Sequence, residues 1–208
     1  RKGVPLIAIP KTMDNDVRGT EYCIGFSTAI TRAKELIDRQ RTTLGSHERI
    51  GVFRIFGRDA GFSALHAAYV TSGRCLIPEA PFDLERLVRV LVEDKHDNPS
   101  RYAFVIAAEG AIWKGGSVSE LGPADAFGHR RKANIAETLA DEIRRRTGEG
   151  TLASELTYDL RSGDPDALDQ TVAITFANIA VDLIRDGVSG RMVAIQGGTF
   201  VHTTLPDP

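Results

Sequence analysis

The chain has 208 residues, of which 26 are Lys or Arg and 28 are Asp or Glu, so its formal net charge is -2. With 42% hydrophobic residues, the composition is typical of a globular protein and excludes an intrinsically disordered chain. The balanced charge excludes a surface that binds polyanions through bulk positive charge, and we therefore expect no nucleic-acid partner.

Short apolar runs alternate along the chain with segments in which apolar residues recur at helical spacing. Strands are predicted at residues 5–10, 50–56, 75–77, 102–108 and 193–196. Helices are predicted from Thr20 to the polar segment that starts at Arg39, and at residues 59–71, 84–95, 131–146 and 165–185. This alternation predicts an α/β fold in three layers, with a largely parallel sheet covered by helices on both faces.

The cysteine content and the ends of the chain bear on its location and its completeness. Cys23 and Cys75 each stand in an apolar stretch, which is typical of reduced core residues and favours a cytoplasmic location. No run approaches the roughly 18 apolar residues that a membrane span needs, so we expect no membrane partner. Because the sequence begins at Arg1 and ends at Pro208 just after an apolar stretch, we interpret it as an interior piece of a longer protein.

The segment Pro10-Lys11-Thr12-Met13-Asp14-Asn15-Asp16 follows the first predicted strand. Open α/β sheets bind their ligands at the carboxyl ends of their strands. Asp14 and Asp16 could supply a general base and an indirect magnesium site, and Lys11 could anchor a phosphate. Asp-Asn-Asp is also a common turn sequence, which by itself would explain the segment without any function.

Further polar residues follow two other predicted strands. Arg58 comes after the strand at 50–56 and is flanked by glycines that allow a ligand to approach the backbone, while Arg49 precedes the same strand. Glu109 directly follows the strand at 102–108. Three successive strand ends thus present Asp14, Arg58 and Glu109, a convergence that indicates a binding site for a phosphorylated ligand.

These motifs, with Gly19-Thr20, Ser46-His47-Glu48-Arg49 and Arg161-Ser162-Gly163, stand in the order and at the spacing of the 6-phosphofructokinases, and the chain resembles this family over most of its length. The resemblance implies a phosphofructokinase-like fold of two domains. Residues 1–45 and 158–190 would belong to the donor-binding domain, residues 46–157 to the sugar-phosphate-binding domain, and residues 191–208 to the start of the closing segment of the latter.

The resemblance also implies the reaction and the catalytic residues. The 1-hydroxyl of fructose 6-phosphate attacks a terminal phosphoryl group held with Mg²⁺, a step of glycolysis. Asp14 matches the catalytic base, and Arg58 matches the arginine that stabilises charge on the transferring group. Thr12 and Asp16 match residues that position substrate and magnesium, Asp16 acting on the metal indirectly. Lys11 matches a lysine that pairs with the released phosphate.

Other residues match the sugar-phosphate site of the family. Phe56, where methionine is usual, and Gly57 would line the sugar, and Glu109 would accept hydrogen bonds from its hydroxyls. Arg161 would grip the sugar phosphate, beside Tyr158 at a position where members carry histidine or tyrosine.

Arg49 would reach the sugar phosphate of a neighbouring subunit, which implies a homo-oligomer.

Departures from the family pattern bear on the phosphoryl donor. Lys11 and the divergent loop that starts at Arg161 favour the pyrophosphate-dependent branch, and Leu152 stands where many ATP-dependent members carry a phosphate-binding arginine. An ATP-dependent enzyme remains an alternative. Because the family's donor loop lies upstream of this sequence, a non-catalytic module that binds sugar phosphates is a second alternative, and we expect the 208-residue piece alone to be inactive.

Overall fold

The computed structural model describes residues 4–115, 120–121, 131–132 and 134–206. The chain forms two compact units. The first contains residues 1–31 and 161–208, and the second contains residues 32–160. The assignment of parts of the chain to donor binding and sugar-phosphate binding stays a prediction.

Helices and strands alternate through both units. The helices are α1 (Phe26–Ser46), α2 (Phe62–Thr71), α3 (Leu84–Asp97), α4 (Ile135–Thr147) and α5 (Ala167–Arg185), with a 3-10 helix at Tyr158–Arg161. The strands are β1 (Ile7–Ala8), β2 (Ile50–Ile55), β3 (Arg74–Leu76), β4 (Ala103–Ala108), β5 (Glu120–Leu121), β6 (Arg131–Lys132), β7 (Thr151–Leu156), β8 (Arg191–Gln196) and β9 (Thr199–Thr204).

The second unit is built on a four-stranded parallel sheet in the order β3-β4-β2-β7. Every residue of the central strands β2 and β4 is buried. On one face Val52 and Val105 pack with Leu91 of α3 and Leu139 of α4. Burial of these apolar faces is the main favourable contribution to the stability of such a sheet.

Helix α1 approaches the opposite face of the same sheet. A Cβ atom added to Gly51 would lie 2.6 Å from Leu44 Cδ1, so glycine permits the close approach of α1 to β2. Phe53 and Phe104 meet there edge to face, with their ring centroids 5.9 Å apart. The predicted parallel sheet with helices on both faces is confirmed in this unit.

The first unit contains a three-stranded sheet in the order β1-β8-β9, with β1 parallel and β9 antiparallel to β8. Val172 and Phe176 of α5 pack against Val193 of β8. The β8–β9 hairpin turns at two glycines that both have positive φ. Their amides donate to the Glu21 carboxylate over 2.7 and 3.2 Å, and these hydrogen bonds lower the pKa of Glu21.

Helix α5 is long and apolar enough, by length and composition alone, to cross a membrane, and among the described helices it is the one that meets this criterion. The expectation that no stretch of the sequence approaches the length and apolar content of a membrane span is therefore wrong for α5. One such helix is weak evidence for a span, because core helices of soluble proteins pass the same test. The buried Asp169 in its first turn and the core packing of Phe176 explain the helix without a membrane.

The helix starts differ from the prediction most at α1 and α4, and capping explains both, while α2 begins at Phe62 rather than residue 59 and α5 at Ala167 rather than residue 165. Helix α1 begins at Phe26 rather than Thr20, because the Thr20 hydroxyl donates to the Tyr22 carbonyl and accepts from the Ile195 amide instead of capping a helix. Helix α4 begins at Ile135 rather than residue 131, since the Asn134 side chain accepts hydrogen bonds from the first turn.

Both cysteines carry free thiols, Cys23 fully buried and Cys75 partly buried. Burial raises the pKa of each thiol to about 11, so the reactive thiolate is scarce at neutral pH. We expect iodoacetamide to leave both cysteines unmodified in the native full-length protein and to alkylate both in urea, as measured by peptide mass spectrometry. Rapid alkylation of Cys23 in the native protein would contradict its burial.

Candidate active site

The first candidate loop, residues 10–16, leaves the carboxyl end of β1 and is fastened to the chain that follows it. The Pro10 carbonyl accepts a hydrogen bond of 3.1 Å from the Ile24 amide, and Lys11 forms a parallel bridge with Ile24. The Lys11 side chain is exposed. Its ammonium is therefore accessible to a ligand from solvent.

Asn15 fixes the conformation of this loop. It adopts a φ of 54°, in the left-handed region that asparagine tolerates. Its side-chain oxygen accepts from the Cys23 amide at 2.8 Å and its side-chain nitrogen donates to the Glu21 carbonyl at 3.1 Å. The segment is thus a turn, and the turn also holds functional candidates. Asp14 is only 7% exposed, and its amide donates to Thr12 Oγ1 at 3.1 Å.

Asp169 and Asp166, at the start of α5, hold the beginning of α1, and the sequence analysis did not identify either. Asp169 is fully buried, and its carboxylate accepts from the Gly25 amide, the Thr28 amide and hydroxyl, and the Tyr22 hydroxyl. Burial and this hydrogen bond raise the pKa of Tyr22.

Asp166 accepts from the hydroxyls of Ser27 and Thr31.

Gly25 links this network to the candidate loop. It has a φ of 106°, and a Cβ atom added there would contact the backbone of Thr12 and Met13 at 3.7 to 3.8 Å. Asp169, by binding the Gly25 amide over 2.7 Å, therefore fixes the segment against which the candidate loop lies.

Arg161 lies at the end of the 3-10 helix, and its Nε donates to Met13 Sδ over 3.2 Å. The structure thus places Arg161 next to the loop that carries Lys11, Thr12, Asp14 and Asp16. These residues form the candidate set of the first unit.

The residues of this loop also bear on the predicted magnesium ion. Enzymes bind Mg²⁺ through one or two carboxylates together with substrate phosphates and water. Asp14 is buried, Asp16 is exposed, and the Asn15 amide is committed to backbone hydrogen bonds. Among the described residues no group of three or more His, Cys, Asp or Glu side chains could hold a metal ion. This donor set fits an ion bound mainly by substrate phosphate and water.

In the second unit, candidate residues gather at the carboxyl ends of β2 and β4. The amide of Arg58 donates to Glu109 Oε2 over 3.4 Å, and Arg58 has a φ of 51°, a left-handed conformation that non-glycine residues rarely adopt and that functional sites often contain. Gly57 precedes it, and a Cβ atom there would lie 2.6 Å from the Ala60 carbonyl oxygen. This turn therefore requires glycine at position 57.

Two aromatic side chains and an arginine complete this group. The rings of Phe56 and Tyr158 meet edge to face with centroids 5.7 Å apart, and Tyr158 is exposed. Arg54, which the sequence analysis did not identify, donates from Nη2 to Glu109 Oε1 over 2.9 Å. The predicted residues Phe56, Gly57, Arg58, Glu109 and Tyr158 therefore lie in one group around Arg54.

Arg49 is separated from that group by the length of a strand. It precedes β2, whereas Phe56 follows β2, and a Cβ atom added to Gly150, before β7, would lie 3.4 Å from Arg49 Cγ. Arg49 thus lies at the amino end of the sheet, while Glu109 lies at the carboxyl end. Its predicted role in a neighbouring subunit stays a prediction.

Comparison with known proteins extends these local observations. Over 208 residues the chain is 41% identical to the pyrophosphate–fructose 6-phosphate 1-phosphotransferase of Amycolatopsis methanolica, covering 99% of this chain and 60% of that protein. It is 36% identical to the ATP-dependent 6-phosphofructokinase 3 of Streptomyces coelicolor, again with 99% and 60% coverage. The chain thus spans about 60% of the length of these curated relatives.

Solved structures agree on the fold. The phosphofructokinase of Saccharomyces cerevisiae superposes with a TM-score of 0.81 at 25% identity, over 98% of this chain and 26% of that one. The pyrophosphate-dependent phosphofructokinase of Marinobacter aquaeolei gives a TM-score of 0.75 at 21% identity, over 97% and 52% of the two chains. The phosphofructokinase family model matches residues 1–184. On these grounds the chain belongs to the phosphofructokinase family.

Proposed function

We propose that the full-length protein transfers a phosphoryl group from pyrophosphate to the 1-hydroxyl of fructose 6-phosphate and so produces fructose 1,6-bisphosphate in glycolysis. The candidate loop supports this proposal most directly. It carries the complete motif from Pro10 to Asp16, it leaves the carboxyl end of β1, and Asn15 holds it in place while Asp14 is buried. A buried, positioned carboxylate is what a general base requires.

The proposed chemistry asks the protein for positioning and charge neutralisation, because phosphoryl transfer needs little covalent assistance. Asp14 accepts the proton of the 1-hydroxyl as the hydroxyl oxygen attacks the terminal phosphorus. The bond to the leaving phosphate breaks, and Lys11 pairs with that phosphate. Arg58 stabilises negative charge on the transferring group, and Thr12 helps to position the substrate. Mg²⁺, near Asp16, would supply further positive charge.

The roles are divided between the two units. Lys11, Thr12, Asp14, Asp16 and Arg161 belong to the first unit, and Arg49, Phe56, Gly57, Arg58, Glu109 and Tyr158 belong to the second. In this proposal Glu109 accepts hydrogen bonds from sugar hydroxyls and Phe56 packs beside the sugar. Arg161 binds the sugar phosphate, as a guanidinium does well through paired donors.

We further propose a cytoplasmic homo-oligomer in which Arg49 contributes to a neighbouring subunit's sugar-phosphate site. Residues 1–45 and 158–190 would belong to the donor-binding domain, residues 46–157 to the sugar-phosphate-binding domain, and residues 191–208 to the start of the closing segment of the latter. The position of Arg49 at the sheet end opposite Glu109 supports a separate role for it.

The donor preference rests on Lys11 and on the divergent loop after Arg161. We expect the full-length protein, supplied with Mg²⁺ and fructose 6-phosphate, to form fructose 1,6-bisphosphate with pyrophosphate and much more slowly with ATP. An aldolase-coupled assay with each donor measures this. The relatives include enzymes named for pyrophosphate and enzymes named for ATP. The assay shows which of the two donors this protein uses.

Each other outcome points to a different function. Turnover with ATP alone would identify the ATP-dependent branch and overturn the role of Lys11 as a donor determinant. Binding of fructose 6-phosphate in calorimetry without turnover with either donor would favour the non-catalytic sugar-phosphate module. Absence of both binding and turnover would overturn the proposed substrate.

A further inference from the structure

Arg54 is a charged residue near the carboxyl end of an apolar, fully buried strand. Its side chain is only 3% exposed, its Nη2 lies 2.9 Å from Glu109 Oε1, and its Nη1 lies 3.2 Å from Glu155 Oε2. A guanidinium taken out of water is strongly destabilising unless carboxylates compensate its charge. Arg54 therefore depends on both carboxylates, and they share its one positive charge.

The pleat of the sheet explains this arrangement. Ile50, Val52 and Arg54 alternate with residues on the other side of β2, so Arg54 continues the apolar face at the carboxyl end of the strand. The register pairs Arg54 with Glu155 of β7, and Glu109 directly follows the neighbouring β4. The strands thus bring the three charges together at the carboxyl end of the sheet, where the candidate sugar-binding residues lie.

Arg54 also contacts the aromatic part of that group. Its guanidinium carbon lies 5.7 Å from the centroid of the Phe56 ring, within cation–π range, and Phe56 in turn packs on Tyr158. On the other side, Glu109 connects Arg54 to the amide of Arg58. Arg54 is therefore linked, directly or through one residue, to Phe56, Glu109, Arg58 and Tyr158.

A stabilising role alone explains Arg54 poorly. Replacing a buried ion-pair network with well-packed apolar residues often leaves the stability of a protein unchanged or increases it. Arg54 Nε is buried and has no hydrogen-bond partner among the described residues, so one donor of this ion-pair network is left without an acceptor there. Departures from the local rules of packing and hydrogen bonding are expected above all at functional sites.

We propose that Arg54 is a positioning residue for Glu109 in the recognition of the sugar phosphate. The inference rests on the proposed function. Arg54 holds one oxygen of the Glu109 carboxylate and the Arg58 amide holds the other, which fixes the plane of the carboxylate. The remaining lone pairs of both oxygens then accept hydrogen bonds from sugar hydroxyls. Without Arg54, two like charges, Glu109 and Glu155, lie on one face of the sheet with no cation between them.

The test replaces Arg54 in the full-length protein and follows fructose 6-phosphate. Arg54→Met is expected to raise the KM and the calorimetric Kd for fructose 6-phosphate about tenfold, the effect of losing one charge-assisted hydrogen bond. The KM for pyrophosphate is expected to stay within about twofold, since a positioning role acts on one substrate. In a Glu109→Gln background, Arg54→Met is expected to add nothing, because the two residues act as a unit.

Arg41→Met is the matched control. Arg41 also stacks on aromatic rings and pairs with an aspartate, but it contacts Tyr102, Phe104 and Asp38 rather than a candidate site residue. We expect it to leave both KM values unchanged. Should Arg54→Met not fold, Glu155→Gln, at a partly exposed side chain, removes one of the two carboxylates that fix Arg54. It is expected to raise the KM for fructose 6-phosphate about threefold, and only while Glu109 is present.

The outcomes separate this inference from the proposed function. An active wild-type enzyme whose KM for fructose 6-phosphate is unaffected by Arg54→Met or Glu155→Gln overturns the role of Arg54 alone. Equal losses for both substrates also overturn it and indicate a structural role. A wild-type protein that binds fructose 6-phosphate without turnover overturns the proposed reaction, and the calorimetric Kd values of the variants then decide on Arg54. A wild-type protein that does neither overturns both.

Discussion

Asp14→Ser is expected to lower the kcat of the full-length enzyme by about 10²-fold or more, the usual effect of removing a general base. The carboxylate of Asp14 is the group proposed to take the proton from the 1-hydroxyl, and serine cannot hold that proton. Asn15, through its hydrogen bonds to Cys23 and Glu21, continues to hold the loop. The KM for fructose 6-phosphate should therefore change much less than kcat, which steady-state kinetics measures.

A control separates loss of the base from loss of the fold. Asp97→Ser, at an exposed position at the end of α3, is expected to leave kcat unchanged. Circular dichroism should show the same secondary structure for both variants and the wild type. Normal turnover in Asp14→Ser would remove Asp14 from the role of base, whatever the donor.

Asp169→Ala is expected to lower the free energy of unfolding by about 3 kcal/mol, as expected when several buried donors lose a charged acceptor. Asp169 is fully buried and accepts from four donors on Tyr22, Gly25 and Thr28. Alanine would leave these donors without an acceptor and would release the start of α1. Urea unfolding of the full-length protein measures the loss.

Asp182→Ala is the matched control for this substitution. Asp182 lies on the same helix, but its ion pair with Arg185 is exposed, and exposed pairs contribute about 0.5 kcal/mol or less to stability. A loss as small for Asp169→Ala as for Asp182→Ala would show that α1 does not depend on the Asp169 carboxylate.

The strands that sequence reasoning found are those whose residues are almost all apolar. β2 and β4 are buried on both faces, so each is an almost continuous run of apolar residues, and such a run predicts a strand. β7 at the sheet edge and β9 in the hairpin were missed because exposed and polar residues interrupt their patterns. These two segments are strands because they pair with β2 and β8, and their own residue pattern does not predict it.

The candidate site divides in the same way. Asp14, Arg58 and Glu109 stand at strand ends within recognisable motifs, and sequence reasoning found them. Asp169 acts on Gly25 from 144 residues away, and no local pattern predicts that contact. Arg54 was overlooked because a single arginine does not change the apolar pattern that predicts a strand. The register of β2 with β7, which the sequence does not reveal, places Arg54 beside Glu155.

The strand order of the second unit also determines how the protein can fold. The neighbours of β2 in the sheet are β4 and β7, and Ile50 pairs with Ala103 and Thr151. A strand with apolar residues on both sides must therefore remain unpaired until distant parts of the chain have been synthesised and long loops have closed. During that interval β2 exposes apolar surface to other chains. The strand that carries Arg54 thus acquires both of its neighbours only after later parts of the chain have been synthesised.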